Sequence, residues 1–197
     1  LLQGVAEAAN YLLAEMNYEI AIQKALATFG AAANSERIYL FQNHPHHLTG
    51  DMAMSLQFEW TKTGTPSCQH LWQNQSYQTS GLERWYNNLS IGQPISRLLQ
   101  EFPTTEKQLL SRDKIQSILF VPLGLDEDFW GYLGLADCTS QRHWSTHEKS
   151  SGLTRAAIIS GPRQRQQVEE EFVTKPCMTY LPVCPIACSL TIYLPKQ

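Results

Sequence analysis

Cysteine is scarce in the body of this 197-residue chain: of five, only Cys68 and Cys138 precede residue 177. Two thiols that far apart in sequence fit reduced side chains rather than a disulfide framework, and no C-x-x-C pair is present to make a zinc knuckle. A surplus of charge is missing too. The net charge of -3 gives no field that would draw the chain to nucleic acid or to an anionic membrane, so neither is expected as a partner. No run approaches the ~20 apolar residues of a membrane span, and the opening "LLQGVAEAANYLLAEM" lacks the basic flank and cleavage site of a signal peptide. A cytoplasmic location is therefore expected. The first residue is Leu1 rather than Met, which we read as a beginning inside a longer protein. With 43% hydrophobic and 17% charged residues, the chain can fill one core and is too short for two ordinary domains.

What is present begins with two amphipathic segments. Leu1, Val5, Ala8, Ala9, Leu12, Leu13 and Met16 recur at spacings of three and four, and Ile22, Ala25, Leu26 and Phe29 do the same from Tyr18 to Ala32. Asn34 and Ser35 end that pattern, after which the period changes to two. "RIYLFQN" and "AMSLQFEWT" read as strands joined through "HPHHLTGD", and the polar stretch from Lys62 to Ser80 reads as a long loop. "LERWYNNL" and "PTTEKQLLSRD" read as short helices, the second capped by Thr104. "IQSILFVPL" and "FWGYLGLADC", joined by the acidic "GLDED", form an antiparallel hairpin. Pro122 within the first marks an edge or a bulge. In "HWSTHEKSSGLTRAAIIS", Ser145 and Glu148 make a capping box, with Trp144 packing at the helix entrance. Gly161-Pro162 then breaks the exit helix, and "RQRQQVEEE" lacks the apolar seam of a coiled coil. This succession gives an α+β fold, an antiparallel β-sheet sandwiched by helices.

The blocks "RIYLFQNHPH", "GDMAMSLQFEWT", "LERWYNNLSIGQPISRLLQEFP", "SILFVPLGLDEDFWGYLGLADC" and "RHWSTHE", in that order, closely resemble the GAF domains of bacterial signal-transduction proteins over residues 1–160. The resemblance implies a non-catalytic sensor or dimerisation module that passes a conformational signal to a histidine kinase or diguanylate cyclase. Residues 161–171 would then be a polar connector helix. It also implies a linking cysteine in the helix before "SILFVPL" for covalent bilin attachment, and "TTEKQLLSRD" has none; the Asn-Lys-Phe-Asp-Glu pattern of the cyclic-nucleotide subgroup is absent as well. No cofactor is expected. A non-covalent tetrapyrrole site and a purely structural dimerisation module remain as alternatives.

The tail from residue 172 holds Cys177, Cys184 and Cys188 and reads unlike the rest. Diguanylate cyclase domains of the GGDEF type commonly open with a pattern like "HDLLTGLPNR". Codons for Cys177 onward, read from the third base, permit that pattern at every step. We therefore expect a frameshift near Phe172, a weakly ordered out-of-frame remnant, and a lost output domain.

Candidate sites are few. "HPHH" (His44, His46, His47) could ligate a metal but reads as a solvated hairpin, and Asp126, Glu127 and Asp128 read as a solvated acidic turn. Cys68-Gln69-His70 could pair a thiol with an imidazole, yet no oxyanion-hole motif accompanies it. Gly131 and Gly134 flank Tyr132 where a helix or ligand could approach the sheet, and close helix packing is the expected use. For an unidentified small-molecule ligand, a pocket is expected between the sheet and residues 62–113. Phe58, Trp60, Trp85, Tyr86 and Tyr132 would be its walls, unless these aromatics simply fill the core. A homodimer is one assembly open to the chain, and the sequence does not fix the oligomeric state.

Overall fold

A computed structural model of the chain describes residues 2–15, 17–124 and 129–174. The tail from residue 175 and the turn Asp126, Glu127 and Asp128 lie outside the described residues. Two helices open the fold, α1 (Leu2–Ala14) and α2 (Tyr18–Ala33). The side chain of Asn17 accepts the Ile20 N–H at 3.1 Å, and Asn34 ends α2 in the left-handed region at φ 48°. The hairpin β1 (Arg37–Pro45) and β2 (Met52–Thr61) follows. Next come β3 (Gln75–Ser76), α3 (Glu83–Ser90), β4 (Ile95–Leu98) and α4 (Thr104–Ser111). The hairpin β5 (Ser117–Leu123) and β6 (Gly131–Asp137) leads to α5 (Thr146–Thr174). All strands pair antiparallel in the order β3-β2-β1-β6-β5-β4.

Two apolar clusters cover the two sheet faces. On one, Ile38, Leu40, Leu119, Val121, Leu133 and Leu135 meet Ala8 and Leu12 of α1, Ile22, Leu26 and Phe29 of α2, and Ala156 and Ile159 of α5. On the other, Tyr39, Phe41, Phe120 and Tyr132 meet Trp72, Trp85, Leu89 and Leu110, contributed by α3, α4 and the long loop. Period-two strands supply both faces, as a sheet buried between layers requires. The expected α+β sandwich is therefore the observed fold.

Local readings fare unevenly. Ser145 and Glu148 do form the capping box: the Glu148 N–H donates to Ser145 Oγ at 3.3 Å, and the Ser145 N–H to Glu148 Oε2 at 2.8 Å. Trp144 is buried and lies under the Arg142 guanidinium, 4.3 Å from its ring centroid. Pro122 is on a local edge, because β4 pairs with β5 only as far as Phe120. Thr104, by contrast, is the first helical residue of α4; Pro103 holds the cap position, where its preset φ starts the helix without a side-chain bond. Gly131 and Gly134 do not admit a helix. A Cβ on Gly131 would stand 2.0 Å from the Phe41 carbonyl oxygen of β1, and one on Gly134 would press on the rings of Phe120 and Tyr39. Nor does Gly161-Pro162 break α5, which continues to Thr174. Pro162 removes one ladder bond, at a cost of about 3 kcal/mol. Packing of Ala156 and Ile159 before it and the helix-favouring "RQRQQVEEE" after it offset that cost.

Candidate functional site

A single extra residue decides which side chains reach the site. In β2, Phe58 pairs with Leu40 and Leu56 with Phe41, so Gln57 is a bulge. Before it, Met54 and Leu56 face the loop side; after it, Phe58 and Trp60 face the helices. Trp60 lies so close over α2 that a Cβ on Gly30 would be 2.1 Å from its ring. The same inversion turns Glu59 to the loop side, with its side chain 3% exposed.

There Glu59 meets Arg37, the first residue of β1, with Nη1 to Oε1 at 3.0 Å. The Cys68 N–H donates to Glu59 Oε2 at 3.0 Å and the Cys68 thiol to Oε1 at 3.3 Å, which fastens the end of the long loop. After α4, Lys114 takes a left-handed φ of 58°, and the turn it makes leaves Asp113 buried between two exposed cations, Arg112 and Lys114. The Trp72 indole N–H donates to Asp113 Oδ2 at 2.5 Å. Among the described residues, Asp113 Oδ1 has no hydrogen-bond partner, and neither does Arg37 Nε. Just beyond β6, the Cys138 thiol points to the Asp113 carbonyl at 3.8 Å. The Cys138 and Thr139 N–H groups donate to Glu36 Oε2 at 2.5 and 3.0 Å.

These segments enclose a cleft of about 300 Å³ at the Arg37 end of the sheet, with Leu71 and Pro66 as its apolar part. Burial, with the Asp113 and Glu59 carboxylates adding to it, pushes the Cys68 thiol well up. Burial likewise raises Cys138, although Arg37 opposes it. Burial raises the Asp113 carboxyl against the pull of the Trp72 hydrogen bond. Burial also resists ionisation of Glu36, but the Thr139 hydroxyl and the two N–H groups hold it below the usual carboxylate range. Thiols held protonated are poor nucleophiles. His70 is exposed on the short 3-10 turn Gln69–Leu71, and no hydrogen bond among the described residues ties it to Cys68.

The aromatic walls expected from the sequence are not brought together. Trp85 and Tyr132 are fully buried in the loop-side core, where Phe41 stacks on Tyr132 at 4.7 Å and Trp85 meets Phe120 at a tilt, centroids 4.8 Å apart. Tyr86 is half-buried beside Tyr77 and lines a separate open groove of about 390 Å³. Phe58 and Trp60 lie on the opposite face. His44 hydrogen-bonds Ser55 Oγ at 2.7 Å through Nε2, His46 contacts Thr49 and His47 contacts Asn74. Among the described residues no cluster of three metal-ligating side chains occurs. Sequence reasoning missed Arg37, Glu59 and Asp113. Its available signal was a charge set against aromatic neighbours, in "RIYLF" and "QFEWT", since such charges are buried only when paired.

No family profile matches the chain. It is 30% identical over 179 residues to the methanogenesis regulatory histidine kinase FilI of Methanothrix harundinacea (strain 6Ac), spanning 88% of this chain and about a fifth of that relative. Among solved structures, the far-red-absorbing dark state of JSC1_58120g3 with bound biliverdin IXa aligns with a TM-score of 0.69 at 12% identity, over 83% of this chain and 99% of that one. The GAF domain of the cyanobacteriochrome TePixJ aligns at 0.66 and 15% identity, over 80% and 95%. A domain of a two-component sensor histidine kinase protein from Sinorhizobium meliloti 1021 aligns at 0.60 and 16% identity, over 81% and 99%. The chain has the GAF-domain fold of these solved structures.

Proposed function

We propose that this domain is a non-catalytic sensor that binds a small polar molecule in the Arg37-end cleft and passes the change to a downstream output through α5. The GAF body would be residues 1–160, with 161–171 as the connector. One observation carries this reading. The cleft wall at Cys138 and Thr139 runs directly into Arg142, whose guanidinium donates to the Ala33 carbonyl at 3.0 Å, reaches Asp137 at 3.4 Å and pairs with Glu148. Arg142 thus joins the end of β6, next to the cleft wall, to α2 and the capped start of α5, and a shift at the cleft has a physical route to the exit helix.

A tetrapyrrole in this domain is disfavoured by what fills the space between the sheet and α3 and α4: Trp72, Trp85, Phe120 and Tyr132, all buried. A structural dimerisation module is the second reading, favoured by Leu13 and Ile20, 62% and 46% exposed on the helical layer; a stable homodimer without ligand in native mass spectrometry supports it. The sensor reading is tested by thermal-shift screening of the chain against polar metabolites. A hit should raise Tm and be recovered chemically unchanged. Turnover of the hit, or no hit at all, overturns the reading.

A further inference from the structure

The charges that line the cleft come in both signs and are incompletely paired. Asp113 is 3% exposed, takes one indole N–H on Oδ2 and has an unpartnered Oδ1. Its sequence neighbours Arg112 and Lys114 stand exposed at the mouth and join no ion pair among the described residues. Arg37 is already tied to Glu59, and Glu36 is already filled by the N–H groups of Cys138 and Thr139 and the Thr139 hydroxyl. Unmet demand among the described residues is therefore one buried acceptor, one buried Arg37 N–H and the two exposed cations of the residues on either side of Asp113.

We propose that the cleft takes a zwitterion of the α-amino acid class, with the ammonium on Asp113 and the carboxylate between Arg112 and Lys114. The assignment rests on the sensor reading of this site. A simple amine would leave both rim cations without a partner. A simple carboxylate would bring a third negative charge beside Asp113 and Glu36, whereas a zwitterion satisfies both ends with charge-assisted bonds. The volume of about 300 Å³ suits a molecule of that size, and Leu71, 38% exposed on the cleft wall, provides apolar surface for an aliphatic side chain.

The test is calorimetric titration of the intact chain with the twenty amino acids, followed by the best binder's decarboxylated amine and deaminated acid. We expect at least one amino acid to bind, its amine and its acid to bind at least tenfold more weakly, and D113N to lose at least tenfold. Because D113N alters a buried group, the doubly exposed R112A/K114A variant is measured alongside; it should fold normally and weaken binding at least tenfold. No amino acid binding, an amine or acid that binds equally well, or affinity unchanged in R112A/K114A overturns the proposal. Should another polar metabolite bind and lose affinity in D113N, the zwitterion assignment falls while the sensor reading stands.

Discussion

Glu106 shows how a single carboxylate organises the loop side. It is 2% exposed, accepts the Trp85 indole N–H at 2.5 Å and Arg84 Nε at 2.9 Å, and so ties α3 to α4. Glu106→Ala would strand a buried indole and a half-buried guanidinium. We expect a loss of about 3 kcal/mol in urea unfolding. Glu148 acts differently. Burial resists its ionisation, but the Ser145 N–H and hydroxyl and Arg142 hold it down to about 2 from an ordinary 4.5. A carboxyl whose folded pKa is depressed stabilises the fold above its unfolded pKa, and that contribution fades as pH falls from about 4.5 towards 2. Glu148→Gln keeps a cap acceptor, loses about 1 kcal/mol at neutral pH, and should flatten the acid limb of a stability-against-pH curve.

At the scale of elements, the bulge at Gln57 has the most testable effect. Deleting Gln57 would restore strict alternation with the pairs Leu56–Phe41, Phe58–Leu40 and Glu59–Tyr39 unchanged, so that Phe58 and Trp60 keep facing the helices and Glu59 keeps facing Arg37. We expect cooperative unfolding by circular dichroism to persist in the deletion variant, and Gln57→Ala, which keeps the extra residue, to change stability by less than about 1 kcal/mol. The same bulge marks where sequence reading stops. Helical stripes and strong strands were legible because burial imposes periods of 3.6 and 2. Neither β3, two residues long, nor β4, paired through only four, is long enough to show a period. An inserted residue also leaves composition untouched while reversing every face beyond it, so Phe58 and Trp60 read as companions of Met54 and Leu56. The cleft was illegible for a related reason: Arg37, Glu59, Cys68 and Asp113 meet only through pairing and turns.

For the whole molecule, the two clusters enclosing the sheet draw, among the described residues, on residues 8–159. Removing residues 175–197 should therefore leave Tm within about 2 °C of the full chain, a shift of no more than about 1 kcal/mol; a larger fall would show that the tail contributes to the fold. Among the described residues, no helix is long and apolar enough to cross a membrane.

α5 has 29 residues and is therefore about 43 Å long. Pivoted at the Arg142–Glu148 pair, a tilt of roughly 5° would sweep its distant end through about 4 Å. On the proposed sensor reading the helix acts as a lever with its fulcrum beside the cleft, converting a displacement too small to disturb packing into one of several ångströms at its far end.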